Sequence, residues 1–364
     1  MVYLDANATE PLRPEARAAM LAAMEVTGNP SSVHAAGRAA RRILENARES
    51  LAARFGMPAQ DLVFTSGGTE ADALAIHALR AGRRVIVGAT EHDAVRSAPG
   101  AFTLPVDRNG VADLGTLAAW LLDGPPTLVC LMLANNETGT IQPVAEAAEL
   151  CRRHGAFLHV DAVQAAGRIV VRLAALGAHS IAISSHKLGG PPGAGALLLA
   201  PEVTAIGPMI AGGGQERGRR GGTPPLPAIA GFAAAASVAS NAVHLAPLRD
   251  AAEAAAVAAG AIVCGGGAAR LANTTCLALP GVRADAQVIA LDLDGIAVSA
   301  GAACSSGKVT ASHVLAAMGL GPLAGQAIRV SLPWNATSSD VAAFAVAYRR
   351  MADRLRAALA PRAA

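Results

Sequence analysis

The stretch Asp61–Gly88, DLVFTSGGTEADALAIHALRAGRRVIVG, decides the fold. It opens with a short apolar run, Asp61–Ser66, and turns on Gly67, Gly68 and Thr69. From about Glu70 to Arg80 its apolar residues recur at helical spacing, and Arg84–Gly88 is an apolar run again. Strand, helix and second strand in so few residues predict a βαβ unit. The pattern continues downstream, where Thr127–Ala134 reads as a fully apolar strand, 143–154 as a helix, and Ala156–Val160 and Ser180–Ser184 as further strands. Upstream, 15–25 and 34–54 read as helices. Such alternation predicts an α/β fold around a mostly parallel sheet. Beyond about residue 245 the texture changes. A helix near 247–259 leads to strand-like segments 261–264, 274–279 and 296–299, then to helices that include 340–359. The expected division is a large domain over 15–245 and a smaller α+β domain over 246–364, completed by residues 1–14.

Composition excludes several function classes. The 364 residues carry 30 Lys+Arg against 27 Asp+Glu, a formal charge of +3, and only ten aromatic side chains. A nucleic-acid groove wants basic stripes and stacking platforms, so none is expected. From Gly221 to Leu248 no side chain is formally charged, but this stretch holds Pro224, Pro225 and Pro227 and is otherwise mostly Ala, Gly and Ser. A membrane span needs about 20 residues dominated by larger apolar side chains, so no membrane is expected either. The five cysteines form no C-x-x-C pair, and Asp5, Glu10 and Arg13 stand where an export signal needs an apolar core. A reducing cytoplasm is the expected compartment. Cys151 and His154 share a helix end but make a poor metal site, and no metal is expected.

Chemistry gathers where strands end. In SSHKLGGPPGAGALLL, Lys187 follows an apolar strand directly and precedes a Gly/Pro run. Open α/β sheets place their ligands at such strand ends. Lys187 is read as a Schiff-base lysine for a carbonyl cofactor, with Ser184 and His186 as anion donors, or as a surface lysine that opens a loop. In SGGTE, Gly68 and Thr69 at a helix start suit a phosphate, or Thr69 or Ser66 is an ordinary helix cap. HVDAVQ ends a strand on Asp161, which can pair with a protonated ring nitrogen or cap the next turn; Gln164 can donate to a ring oxygen. His92 in TEHDAV can stack on a flat ring or move a proton, or lie on the surface. Asn136 in NNETGTIQP can bond a ring hydroxyl or a substrate. GGGQERGRRGGTPP, Gly212–Pro225, reads as a flexible surface loop. Cys304 in AGAACSSGK is flanked by small residues with Lys308 nearby, which fits an exposed thiol helped towards thiolate, or an incidental loop cysteine.

The order of these motifs carries more than each alone. YLDANAT, GNPSSVHAAGR, FTSGGTEAD, TEHDAV, NNETGTIQP, HVDAVQ, SSHKLGGP, GGGQERGRRGGT and AGAACSS follow one another from Tyr3 to Ser306. The chain resembles the cysteine desulfurases, the NifS/IscS-like group I members of the class V aminotransferase-type pyridoxal-phosphate enzymes. The resemblance runs to the Arg329 region. It implies the fold type I pyridoxal-phosphate transferase architecture, a homodimer, and transfer of sulfur from L-cysteine through a Cys304 persulfide to an unidentified acceptor protein, with release of alanine. Fe–S cluster or other thio-cofactor assembly would consume that sulfur. By the same resemblance Lys187 holds pyridoxal phosphate, Asp161 pairs with its ring nitrogen, His92 stacks on the ring, and Gln164 contacts the phenolic oxygen. Gly68, Thr69, Ser184 and His186 hold the phosphate, joined by Thr223 of the other subunit; Asn136 and Arg329 bind substrate, Arg329 through its α-carboxylate.

Departures from the resemblance are Glu10 in place of Thr, the small Ala6, Gly68 in place of Ala, a segment of about 231–248 that is two helical turns short, and Pro333–Asn335 (PWN) after the arginine. The 35 residues after Arg329 are too few for the longer tail with which housekeeping members dock a scaffold protein. Two other chemistries on the same scaffold remain as alternatives, selenocysteine lyase and aminotransferase. A catalytically silent partner protein is the remote one, and the presence of Lys187, Asp161, His92 and Cys304 together speaks against it.

Overall fold

The computed structural model describes residues 1–301 and 311–359. The chain enters as β1 (Val2–Tyr3), then α1 (Pro14–Met24) and α2 (Ala35–Phe55). Next come β2 (Leu62–Thr65), α3 (Gly68–Leu79), β3 (Arg84–Gly88), α4 (Asp93–Arg96), β4 (Phe102–Leu104) and α5 (Leu114–Leu121). β5 (Thr127–Cys130), α6 (Val144–Arg153), β6 (Phe157–Asp161), α7 (Leu173–Leu176), β7 (Ser180–Ser184) and β8 (Gly195–Leu199) complete the first half. The second half runs α8 (Leu226–Val238), α9 (Ala246–Ala258), β9 (Ile262–Cys264), β10 (Thr274–Ala278), α10 (Ala284–Leu293), β11 (Ile296–Ala297), β12 (Ser299–Ala300), α11 (His313–Ala317), β13 (Ala327–Ser331) and α12 (Ser338–Leu359).

Seven strands make the large sheet in the order β2-β8-β7-β6-β5-β3-β4. All neighbours are parallel except at β8, which runs against both β7 and β2. The central strands are buried along their whole length, as a sheet covered on both faces requires. Their near-continuous Val, Ile and Leu content follows from that. Helix α2 spaces Ala40, Leu44, Ala47, Leu51 and Phe55 along one stripe and stops at Gly56, whose φ of 71° closes the helix in the left-handed conformation. α8 packs on α1 and α2. Gly231 makes that approach possible, since a Cβ there would stand 2.6 Å from Met20 Cγ.

The second half builds an antiparallel sheet, β12-β13-β10-β9, over its own core of Leu277, Ile328, Val330, Phe344 and Tyr348. Leu4 is buried in that core, and β1 pairs with β11, so the first residues of the chain fold with the last third. Three expectations need correction. The regular strand stops at Cys130; the rest of the apolar run 127–134 stays alongside β6, with the Leu131 and Leu133 N–H groups donating to the His159 and Asp161 carbonyls, before the chain turns between Asn135 and Thr140. Segment 296–299 breaks at Val298 into two strands in different sheets. Gly212–Pro225 is no flexible surface loop: Glu216 is buried against Arg48, at 2.7 Å to both of its terminal nitrogens, and accepts from the Phe64 N–H. Arg219 donates to the Gln60 carbonyl and Arg220 pairs with Glu70. Among the described residues no single helix is long and apolar enough to cross a membrane; α8 and the helical segment from Ala242 to Ala258 are bent apart by 75°.

Candidate active site

The carboxyl ends of β2, β6 and β7 and the N-terminus of α3 open on one cavity of about 390 Å³. Gly68, Thr69, His92, Asn136, Asp161, Gln164, Ser184, His186, Lys187 and Arg329 all line it. Thr223 does not. It is exposed and lines a separate cavity with Ser66 and Gln215. Cys304 lies outside the described residues; the chain enters that segment from Gly301, on the cavity wall, and leaves it just before Ser312 and His313.

Lys187 sits one turn past β7, and its Nζ donates to the carbonyls of Asn7 at 2.6 Å and Ala8 at 2.8 Å. The YLDANAT segment is therefore laid along the cavity. The Asn7 carbonyl also accepts from Gln164 Nε2 at 2.9 Å, and Gln164 Oε1 accepts from Arg168 at 2.6 Å. Lys187 is thus a cavity lysine and not a surface one. His186 bonds Thr9 Oγ1 through Nδ1 at 2.7 Å. Burial, with Lys187 and Arg168 close by, pushes its pKa down to about 4, so it is a neutral donor or acceptor at physiological pH.

The anion cradle forms where β2 meets α3. The helix cap is Gly67, without a side-chain cap bond, and neither Thr69 nor Ser66 plays that role. First-turn N–H groups of a 12-residue helix have no intrahelical acceptor and favour an anion. A Cβ on Gly68 would meet Val163 Cγ2 at 2.6 Å, so the residue that starts the helix must be small. Ser184 Oγ is buried beside this turn without a hydrogen-bond partner among the described residues. A buried hydroxyl left unbonded costs stability unless a ligand completes it. These residues fit a phosphate.

Acids dominate the rest of the floor. Asp161 Oδ1 accepts from the Val163 N–H at 2.8 Å, which satisfies one oxygen in the manner of a turn cap, while the residue still lines the cavity. Burial, and next the charge of Asp72, push its pKa up to about 7. Asp72 itself is pushed to about 8 by burial. His92 Nδ1 accepts from the Ala94 N–H at 3.1 Å and so caps α4, which fixes the ring on the cavity wall. Arg329 is buried under the opposite demand. Its guanidinium reaches Asp5 Oδ1 at 2.6 Å and the Asn136 carbonyl at 3.2 Å, while its Nε has no partner among the described residues. Among the described residues no three His, Cys, Asp or Glu side chains are grouped to hold a metal ion. Cys151 is buried on α6, and His154 is exposed beyond its end.

Several residues on or behind the cavity wall escaped the sequence reading. Asp5 links Arg329 to Ser299, whose Oγ donates to Asp5 Oδ2 at 3.1 Å. Glu137 accepts from Ser312 Oγ at 2.6 Å, and its other oxygen has no partner among the described residues. His313 holds the Glu91 carbonyl at 3.0 Å. Glu137 stands with Asn136 in NNETGTIQP and Asp72 closes FTSGGTEAD, so those motifs were the available signals; for His313 no motif pointed to the cavity.

Comparison with known proteins agrees with this geometry. The family described as Aminotransferase class-V matches residues 2–344. The chain is 41% identical to the cysteine desulfurase of Cereibacter sphaeroides, covering 98% of this chain and 97% of that protein. It is 38% identical to an IscS-like cysteine desulfurase of Mycobacterium tuberculosis, covering 99% and 98%. Among solved structures, a NifS-like protein from Rickettsia africae superposes with a TM-score of 0.90 at 34% identity, over 97% of this chain and 99% of that one.

Proposed function

The chain belongs to the cysteine desulfurases of the class-V aminotransferase family, and we propose from that premise how its own residues carry the reaction. The enzyme removes sulfur from L-cysteine and leaves L-alanine. Pyridoxal phosphate is the cofactor we assign to the cavity: Lys187 would hold it, Gly68, Thr69, Ser184 and His186 would take its phosphate, Asp161 would pair with the ring nitrogen, His92 would stack on the ring and Gln164 would contact the phenolic oxygen. The observation that carries this assignment is the convergence of Lys187, Asp161 and the unbonded Ser184 hydroxyl on one cavity.

When bound, pyridoxal phosphate supplies an electron sink for charge that develops at the substrate's α-carbon. The chain supplies the rest. Lys187 Nζ, already aimed at the cavity by two carbonyls, is the base that takes the α-proton and returns one. Arg329 binds the substrate carboxylate, which must compete with Asp5 for the guanidinium; Asn136 stands beside it. His92 is the group placed to hold the substrate thiol's proton. Cys304 is the nucleophile: its thiolate bonds to the substrate sulfur, the carbon–sulfur bond breaks, and the sulfur stays as a persulfide for an acceptor protein. Fe–S cluster assembly is one destination for it.

Assembly and location belong to the same reading. We assign a two-fold homodimer in which the exposed Thr223 of one subunit completes its neighbour's phosphate site. The division into a large domain, 15–245, and a small one, 246–364 with 1–14, is supported by the main core of the first half and by the separate cores of the second, one around Leu277 and Tyr348 and one around Cys276 and Leu315. Four buried, unpaired cysteines suit a reducing cytoplasm. The test is direct. Purified protein should be yellow, borohydride should fix a pyridoxyl label on Lys187, and L-cysteine should yield sulfide and alanine in equal amounts with a reductant present. A label on another lysine, or no turnover of L-cysteine, overturns the assignment.

A further inference from the structure

We propose that Asp72 is the second counter-charge of the ring-nitrogen site, a positioning residue that acts on the cofactor together with Asp161. The proposal rests on the reading of the cavity as a pyridoxal-phosphate site. α3 starts at the anion cradle, and its fifth residue brings Asp72 onto the same cavity wall as Asp161. The carboxyl is almost completely buried, with Oδ1 3.0 Å from His159 Nε2. His159 is equally buried, and its Nδ1 lies 2.8 Å from Ser180 Oγ. A lone Asp inside a buried helix face is costly. This one has been given a built partner chain.

The surrounding charges show what that chain is for. From β6 come Asp161 and His159, from the turn after β3 come Glu91 and His92, and from β5 comes the Cys130 thiol. Among these no lysine or arginine offsets Asp72; His92 alone favours its charge. Lys187 and Arg329 line the same cavity but are engaged by the Asn7 and Ala8 carbonyls and by Asp5, and neither is bonded to Asp72 or Asp161; two carboxyls that face each other's charge in this way repel, and one proton tends to stay. Burial pushes Asp72 to about 8, and burial with Asp72's charge pushes Asp161 to about 7, while burial raises Glu91 well above the usual carboxylate range. His159, driven down to about 4 by burial, is a neutral imidazole. A neutral imidazole bonds either state of Asp72. With Nε2–H it donates to the carboxylate, and with Nδ1–H it accepts the acid's proton and donates to Ser180. The site therefore stores a proton while empty of positive charge. A cationic ring nitrogen then meets two negative groups instead of one.

The experiment compares two probes on the full-length chain stripped of cofactor. These are pyridoxal phosphate and its analogue with C–H in place of the ring nitrogen. Dissociation constants at pH 8.5 give a preference for the nitrogen-bearing probe, first in the parent and then in Asp72→Asn, whose amide oxygen still accepts from His159. The preference should fall about tenfold in the variant, as loss of one nearby charge implies. An unchanged preference, with both probes weakened alike, means that Asp72 only supports the helix, and the proposal fails. If neither probe binds the parent, the cofactor reading itself is wrong. A second measurement compares the stripped parent with Asp72→Asn. A raised folded-state pKa makes Asp72 take stability away as pH rises from about 4 towards 8, so the urea midpoint of the parent should fall relative to that of the variant across this range. A difference between the two that does not change with pH overturns the proposal.

Discussion

Arg48 and Glu216 are buried, and so are Asp72 and Asp161, yet the two assemblies are built on opposite terms. In the first, a guanidinium and a carboxylate meet through two bonds of 2.7 Å, and the leftover capacity is spent on the Phe64 N–H and the Leu62 carbonyl. Arg48 also lies over the Phe64 ring at 4.7 Å. Every charge has its answer inside the chain. The cavity floor instead collects acids that raise one another's pKa, with an unbonded serine hydroxyl nearby. Buried charge that is answered marks architecture, and buried charge that is unanswered marks a place where a ligand belongs. The first assembly even holds Glu216 and Arg217 at φ of 48° and 59°, a left-handed backbone that two non-glycine residues rarely adopt.

The comparison breaks most visibly if a cavity group proves structural. Lys187→Ala should cut sulfide release by about a thousandfold or more, as loss of an essential group does. In the stripped protein its urea midpoint should stay near the parent's, because the carbonyls that Lys187 Nζ meets among the described residues, those of Asn7 and Ala8, belong to residues on the cavity wall. A large loss of stability in that state would place Lys187 with Arg48 instead of with Asp161.

Glu216→Gln should show the reverse. It leaves the Arg48 cation buried without its counter-charge, which costs about 3–5 kcal/mol when one partner of a buried pair is removed. Urea unfolding of the stripped chain measures it, and a cost near zero would mean that the loop is held by Arg219 and Arg220 alone. This loop also shows where sequence reading stopped. A run so rich in glycine looks flexible, and only the tertiary partner at position 48 reveals that Glu216 anchors it. Asp72 is the parallel case, an acid inside helix α3 whose buried partner, His159, is brought against it only by the packing of β6. By contrast the strand-end residues Lys187, Asp161 and Ser184 were legible, because an apolar run that stops on a polar residue fixes both the element and the edge of the sheet. Strand β8 was not read as such, since Gly195–Leu199 is too short for its period to tell a strand from a helix segment.

A smaller effect is expected where the departures from the family pattern meet. Glu10 accepts from Arg168 at 3.3 Å and from the Trp334 N–H at 3.3 Å, while Trp334 Nε1 donates to the Pro11 carbonyl. Two of the unusual residues are therefore one feature. Glu10→Thr should cost about 1–3 kcal/mol by urea titration, less than Glu216→Gln, because Arg168 keeps its bonds to Gln164 and to the Ala6 carbonyl. A cost as large as that of Glu216→Gln would mean that Arg168 depends on Glu10 as fully as Arg48 depends on Glu216.

The smallest effect isolates burial from bonding. On the surface of α6, Glu149 accepts from Arg152 at 2.9 and 2.8 Å and from Arg153 at 2.8 Å, as many arginine bonds as Glu216 receives or more. Those bonds push its pKa down to about 2. A depressed carboxyl adds stability above its unfolded pKa and loses it as pH falls from about 4.5 towards 2, so any contribution of Glu149 is fully present at pH 7. Yet the group is open to water, where solvent screens the attraction and ordering three long side chains offsets it. Glu149→Gln should leave the urea midpoint at pH 7 unchanged within error, in low salt and in high salt. If it instead destabilises the chain as Glu216→Gln does, then bond count rather than burial governs these pairs, and the contrast between the anchored loop and the cavity floor would have to be rebuilt on hydrogen-bond number alone.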